Sequence, residues 1–140
     1  MTHTIADALA AELTRLLKLP ATRCYLPTID RKDLAELRVF VGIRSDERKP
    51  IDRESNEETH RIEVAVMRAV DPQNVPEVDA CVALVDKIKS LFSKDGELRE
   101  KTLAGADWDG LTNDPIYRPD HLRTQQQFTS VITLTYVLER

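Results

Sequence analysis

The sequence predicts an α+β fold: a mixed, mainly antiparallel four- to five-stranded sheet with two principal helices packed on one face. Two observations carry this expectation. Residues alternate between apolar and polar with a period of two over Leu37–Arg44, Arg61–Val70 and Phe128–Leu138. Over Ile5–Leu17 and Val78–Phe92, apolar residues instead recur every three or four positions. The chain has 140 residues, 41% hydrophobic and 31% charged, which is enough for one core and one domain spanning 1–140.

The first helix buries Ile5, Leu9, Leu13, Leu16 and Leu17, with Thr4 as its expected cap and Pro20 beyond its end. A short extended stretch follows at about Arg23–Leu26, closed by Pro27. Leu37, Val39, Val41 and Ile43 form the apolar face of the next strand, and Ile62, Val64 and Val66 that of the one after. Consecutive strands are usually neighbours, so these two are expected to pair antiparallel. The segment between them, Arg44–Arg61, holds eleven charged residues in eighteen, five basic and six acidic. It is expected to be a mobile charged loop at about 45–60, with His60 solvated. Pro76 belongs in the first turn of the second helix, whose stripe is Val78, Cys81, Val82, Val85, Ile88 and Phe92, and Asp95-Gly96 ends it. Leu98–Leu111 is a weak strand region in which Asp107-Trp108-Asp109-Gly110 reads as a turn, and Asn113–Pro119 reads as extended. The last strand is long, β-branched and uncharged from Phe128 to Leu138, so it is expected to be central in the sheet or covered by another subunit.

Composition excludes several functional classes. A net charge of −4 leaves no basic footprint for nucleic acid. No apolar run approaches the roughly 18 residues of a membrane span, and the N-terminus carries no secretory pattern. Cys24 and Cys81 lack metal-ligand spacing and are expected as reduced thiols in a cytoplasmic protein. The four glycines, at 42, 96, 105 and 110, match no phosphate-binding motif. His121, with Asp114 or Asp120 near in sequence, reads as a loop histidine packed beside Tyr117 rather than a base or ligand. The acidic groups Asp30, Asp33 and Glu36, and Asp107 with Asp109, read as turn residues. No serine sits in a nucleophile elbow. No catalytic, cofactor-binding or metal-binding residue is therefore assigned, and the chain is not expected to be an enzyme.

Several segments together resemble the tail terminator (tail-completion, minor tail) proteins of long-tailed phages and prophages. They are Ile5-Ala6-Asp7-Ala8-Leu9, then Arg23, Tyr25 and Pro27 leading to Asp33-Leu34 and Leu37-Arg38-Val39, then His60–Val66 and Val78–Phe92. The ending Pro115-Ile116-Tyr117, Pro119-Asp120-His121-Leu122 and Phe128–Tyr136 completes the likeness. The resemblance implies a structural virion protein that forms a ring, usually of six copies, on the finished tail tube. There it ends polymerisation and offers a surface to the head connector. Its implied partners are itself, the tail tube protein and the head–tail connector protein, with no nucleic acid, membrane or cofactor. The implied location is the host cytoplasm during assembly and the virion tail afterwards. On that reading Arg48, Lys49, Asp52, Arg53 and Glu57 contact the tube, while Tyr117, Thr129, Val131, Thr133 and Thr135 form the subunit interface. Two other classes stay consistent with the residues. One is a ligand-binding or regulatory α/β module that dimerises through its sheet. The other is a small enzyme using Asp114, His121 or the Asp107/Asp109 pair.

Overall fold

The computed structural model describes residues 1–25 and 34–140. The apolar repeat from Ile5 becomes α1 (Thr2–Leu17), with Ile5, Ala6, Leu9, Ala10, Leu13 and Leu17 buried along one stripe. Thr4 does not cap it. The helix begins three residues earlier, with Met1 at the cap position and no side-chain cap bond. Lys18 ends it in the left-handed region at φ 54°. Thr14 fastens the exit, because its hydroxyl donates to the Ala10 carbonyl and accepts from the Ala21 amide, at 2.9 and 3.0 Å.

Five strands form one sheet in the order β1-β2-β3-β5-β4. β1 (Ala21–Arg23) runs parallel to β2 (Arg38–Pro50), and every other pairing is antiparallel. Pro27, Asp30 and Asp33 lie outside the described residues, so the expected turn there and the end of the first extended stretch are not described. β2 and β3 (Asn56–Ala69) pair as the alternation requires, with Val41 opposite Val64 and Ile43 opposite Ile62. The expected loop at 45–60 is mostly strand: pairing continues to Pro50 opposite Asn56, leaving Ile51–Ser55 as the connection. Charge does not prevent pairing, since strand hydrogen bonds join backbones, and Arg48 faces Glu58 while Lys49 faces Glu57.

α2 (Val75–Ser90) follows, with Pro76 in its first turn as expected. Asn74 caps it reciprocally: its side-chain oxygen accepts from the Glu77 amide at 3.3 Å, and its amide nitrogen donates to the Glu77 carboxylate at 3.0 Å. Cys81, Val85 and Ile88 are its buried residues. The helix stops at Ser90, before Asp95-Gly96, yet Phe92 still reaches the core. A Cβ at Gly96 would meet the Leu91 carbonyl, so the close return of the chain there requires glycine.

Asp107–Gly110 is not a turn but part of β4 (Asp107–Thr112), irregular between Trp108 and Gly110 where the register shifts. A six-residue α3 (Pro119–Thr124) occupies the stretch where no helix was expected. It buries no residue, so it leaves no apolar periodicity to read. β5 (Gln127–Glu139) lies between β3 and β4, so both its edges are paired within the chain. α1 and α2 pack on the face carrying Val39, Val41, Ile62, Val64, Val66, Ile132 and Leu134, in one hydrophobic cluster. The other face carries the alternate residues of β2, β3 and β5.

Candidate functional site

The β2–β3 hairpin is the first surface. Its tip is tied by Asp52, whose carboxylate accepts from the Glu54 and Ser55 amides and the Ser55 hydroxyl at 2.8–2.9 Å. These donors, the Glu54 amide first, hold the Asp52 carboxyl below its ordinary pKa. Asp52 thus shapes the turn from within, while Arg48, Lys49 and Arg53 are exposed around it. Arg48 makes a long contact to Asp46, at 3.6 Å. Glu57 is half-buried on β3, opposite Glu139 of β5. The chain end closes this region, since the amides of Asn56 and Arg140 each donate to the other's carbonyl at 2.8 Å.

The hairpin stem contains a buried polar group that the sequence reading placed in solvent. His60 is fully buried and Glu58 is 4% exposed. The His60 ring lies 2.6 Å from the Thr2 hydroxyl through Nδ1 and 3.0 Å from the Glu58 carboxylate through Nε2. Arg140 approaches the other Glu58 oxygen at 3.7 Å. The available signal was parity: Glu58 and His60 are in phase with Ile62, Val64 and Val66, so the same alternation carries them under the N-terminus of α1.

The open sheet face is the second surface. Phe40, Ala65 and Val131 stand in one row across β2, β3 and β5, and Gly42, Glu63 and Thr133 in the next. Val131, Thr133 and Thr135 are half-buried there, as a shared face requires. Thr129 is not available in the same way. It is 5% exposed, accepts from the Gln127 side chain at 2.9 Å, and lies 3.0 Å from the His121 ring of α3. Tyr117 is 38% exposed and stacks on Phe128 with ring centres 6.4 Å apart. Its edge is joined to β5 through the Arg118 amide, which donates to the Thr129 carbonyl at 2.9 Å. Paired charges border the face, Arg44 with Glu63 at 3.3 Å and Arg61 with Glu47 at 3.5 Å. A cleft of about 250 Å³ opens among Arg44, Glu63, Thr112, Asp114, Arg118 and Thr133.

The residues considered for chemistry do not converge. Asp114 lines that cleft, but His121 does not: it belongs to α3 and is held by Thr129, not packed in a loop. Asp107 and Asp109 are exposed on β4 beside a separate cleft of about 360 Å³ with Val137 and Glu139. Glu36 is exposed. Cys24 and Cys81 are both free thiols, and burial raises the pKa of each. Among the described residues, no group of three or more His, Cys, Asp or Glu side chains could hold a metal ion. No helix among them is long and apolar enough to cross a membrane.

The fold is a five-stranded α+β sheet with α1 and α2 packed on one face. The same fold occurs in a chain of the virion of the native gene transfer agent (GTA) particle, with a TM-score of 0.51. The match covers 100% of this chain and 95% of that one at 13% identity, so it is a likeness of fold. No family model matches the sequence. No curated protein matches it either.

Proposed function

We propose that this chain is a structural virion protein that caps a tail tube as a ring, ending polymerisation and offering the head connector its docking surface. The observation that carries the reading is the end-to-end correspondence of fold with a chain of a virion particle. The sequence resemblance to tail terminators points the same way. Ring assembly needs two different patches on each subunit, since a head-to-tail contact is heterologous and closes when its rotation divides the circle. The open face with Val131, Thr133 and Thr135, together with Tyr117, supplies one side of that contact. The hairpin carrying Arg48, Lys49, Arg53 and Glu57 meets the tube, and Asp52 acts there by holding the tip in shape. A solvated hairpin of mixed charge suits a partner that is itself polar and is met only after the tube is complete.

Native mass spectrometry over a range of concentrations tests the ring, with a hexamer or a monomer–hexamer equilibrium expected. A strict dimer at every concentration would replace this reading with the sheet-dimerised module. Tube contact is tested by Arg48→Ala, Lys49→Ala and Arg53→Ala together, in an assay of tube length. The triple variant should keep its circular dichroism and melting temperature while tubes grow past their normal end; tubes of normal length would remove the hairpin from the mechanism.

A further inference from the structure

Among the described residues, five large hydrophobic side chains are exposed, and Tyr117 is one of them. Tyr117 lines a groove of about 250 Å³ together with Pro72, Pro119, Leu122 and Arg123. Pro72 follows β3 and the rest precede β5, so the groove sits where those two strands meet the end of the sheet. The most exposed member of the five is Tyr25, at 75%, just after β1 on the outermost strand at the other side. Its ring is not loose. The Arg23 guanidinium lies over it at 4.5 Å, donates to its hydroxyl at 3.2 Å, and is itself anchored by Asp7 at 3.0 Å. A third guanidinium nitrogen, Nη1, is buried without a hydrogen-bond partner among the described residues.

We infer that Tyr25 of one copy seats in the Pro72–Leu122 groove of the next, forming the central contact of the ring. The inference rests on the ring reading above and supplies its interlocking residues. Three arguments select a second copy as the occupant. First, a chain cannot fill its own groove. Continuing the β1–β2 register places Tyr25 level with Ile43, which pairs with Ile62, while the groove begins beyond Ala69. That is roughly 23 Å along β3, and the three strand spacings from β1 to β5 add roughly 14 Å across the sheet. Second, the two features differ and lie on different parts of one molecule, which is the geometry of a heterologous contact. Third, the groove has room for one aromatic ring between two prolines and a tyrosine, and an Arg-clamped tyrosine is already ordered before it binds. Such anchors lose little side-chain entropy and commonly dominate an interface. Asp120, exposed beside Pro119, is placed to meet the incoming guanidinium.

Two variants with one exposed cysteine each, Tyr25→Cys and Leu122→Cys, made with Cys24→Ser and the buried Cys81 retained, are mixed under mild oxidation. The mixture should form a disulfide-linked pair that neither variant forms alone. In parallel, Tyr25→Ala should raise the dissociation constant of the oligomer at least tenfold by native mass spectrometry, while Tyr25→Phe should change it less than about threefold. Because Tyr25 is exposed, the alanine variant should keep the wild-type melting temperature. A ring that persists in Tyr25→Ala with no mixed cross-link overturns this contact and leaves the ring reading standing. Symmetric cross-links with a strict dimer, or no association and no cross-link at any concentration, overturn both.

Discussion

His60 and Glu58 show how one pair of residues can couple three parts of the chain. Between them they engage Thr2 at the start of α1 and Arg140 at the chain end, in a site almost closed to water. Removing one partner from a buried polar pair strands the other, which costs about 3 kcal/mol or more. His60→Ala and Glu58→Ala are each expected to destabilise the fold by about that amount in urea unfolding. The double variant Glu58→Leu/His60→Leu should cost less than either single change, since neither member of the buried pair is left without the other and the half-buried Thr2 hydroxyl can turn to water. A second pair-dependent residue is Glu12, which accepts from Lys101 at 2.6 Å and Arg15 at 2.7 Å. Those bonds, Lys101 first, lower its pKa. A carboxylate depressed in the folded state adds stability above its unfolded pKa and loses it as pH falls through the folded value. Wild type should therefore lose more melting temperature than Glu12→Gln between neutral and acidic pH. Equal slopes would mean that solvent screens the bridge completely.

At the level of elements, α2 depends on a local device. Asn74 and Glu77 satisfy each other three residues apart, and Asn74→Ala should cost about 1 kcal/mol in a denaturant titration. Asn74 and Glu77 stand at that spacing in the sequence, where Pro76 alone marks the start of the helix. The hairpin was less legible. Its residues are charged on both faces, so the alternation that marked Ile62–Val66 disappears from the outer segment although the pairing continues to Pro50 and Asn56. Arg44 adds one residue at the register shift between Ile43 and Ser45, which further breaks the pattern. For α3 the reason is different: six residues with none buried give no period to detect.

For the whole molecule, the question is which surface remains free to assemble. The sheet's edges are poor candidates. β4 ends one side with a register shift and exposed Asp107 and Asp109, and β2 beyond β1 has its own shift, five charged residues and Pro50. Irregularity, charge and proline are the usual means of discouraging edge pairing. β5, uncharged and long, was expected to need cover; its edges receive it from β3 and β4, which leaves its face as the open part. Val131→Lys places a charge in the Phe40–Ala65–Val131 row. It should abolish the proposed oligomer while changing monomer stability by no more than about 0.5 kcal/mol. Retention of the oligomer in that variant would exclude the open face from the subunit contact.

By itself the sequence determined the elements whose pattern is local and repeated: α1, α2, the inner halves of β2 and β3, and β5. It also determined that the two helices share one sheet face, because an amphipathic helix and an alternating strand each have a single side to bury. The tertiary structure alone decided that β5 lies between β3 and β4, that Glu58 and His60 pass beneath α1, and that the segment before β5 folds over Thr129 to make a groove. These depend on contacts between residues far apart in the chain. Their energies come from partners and burial that no short window of residues contains.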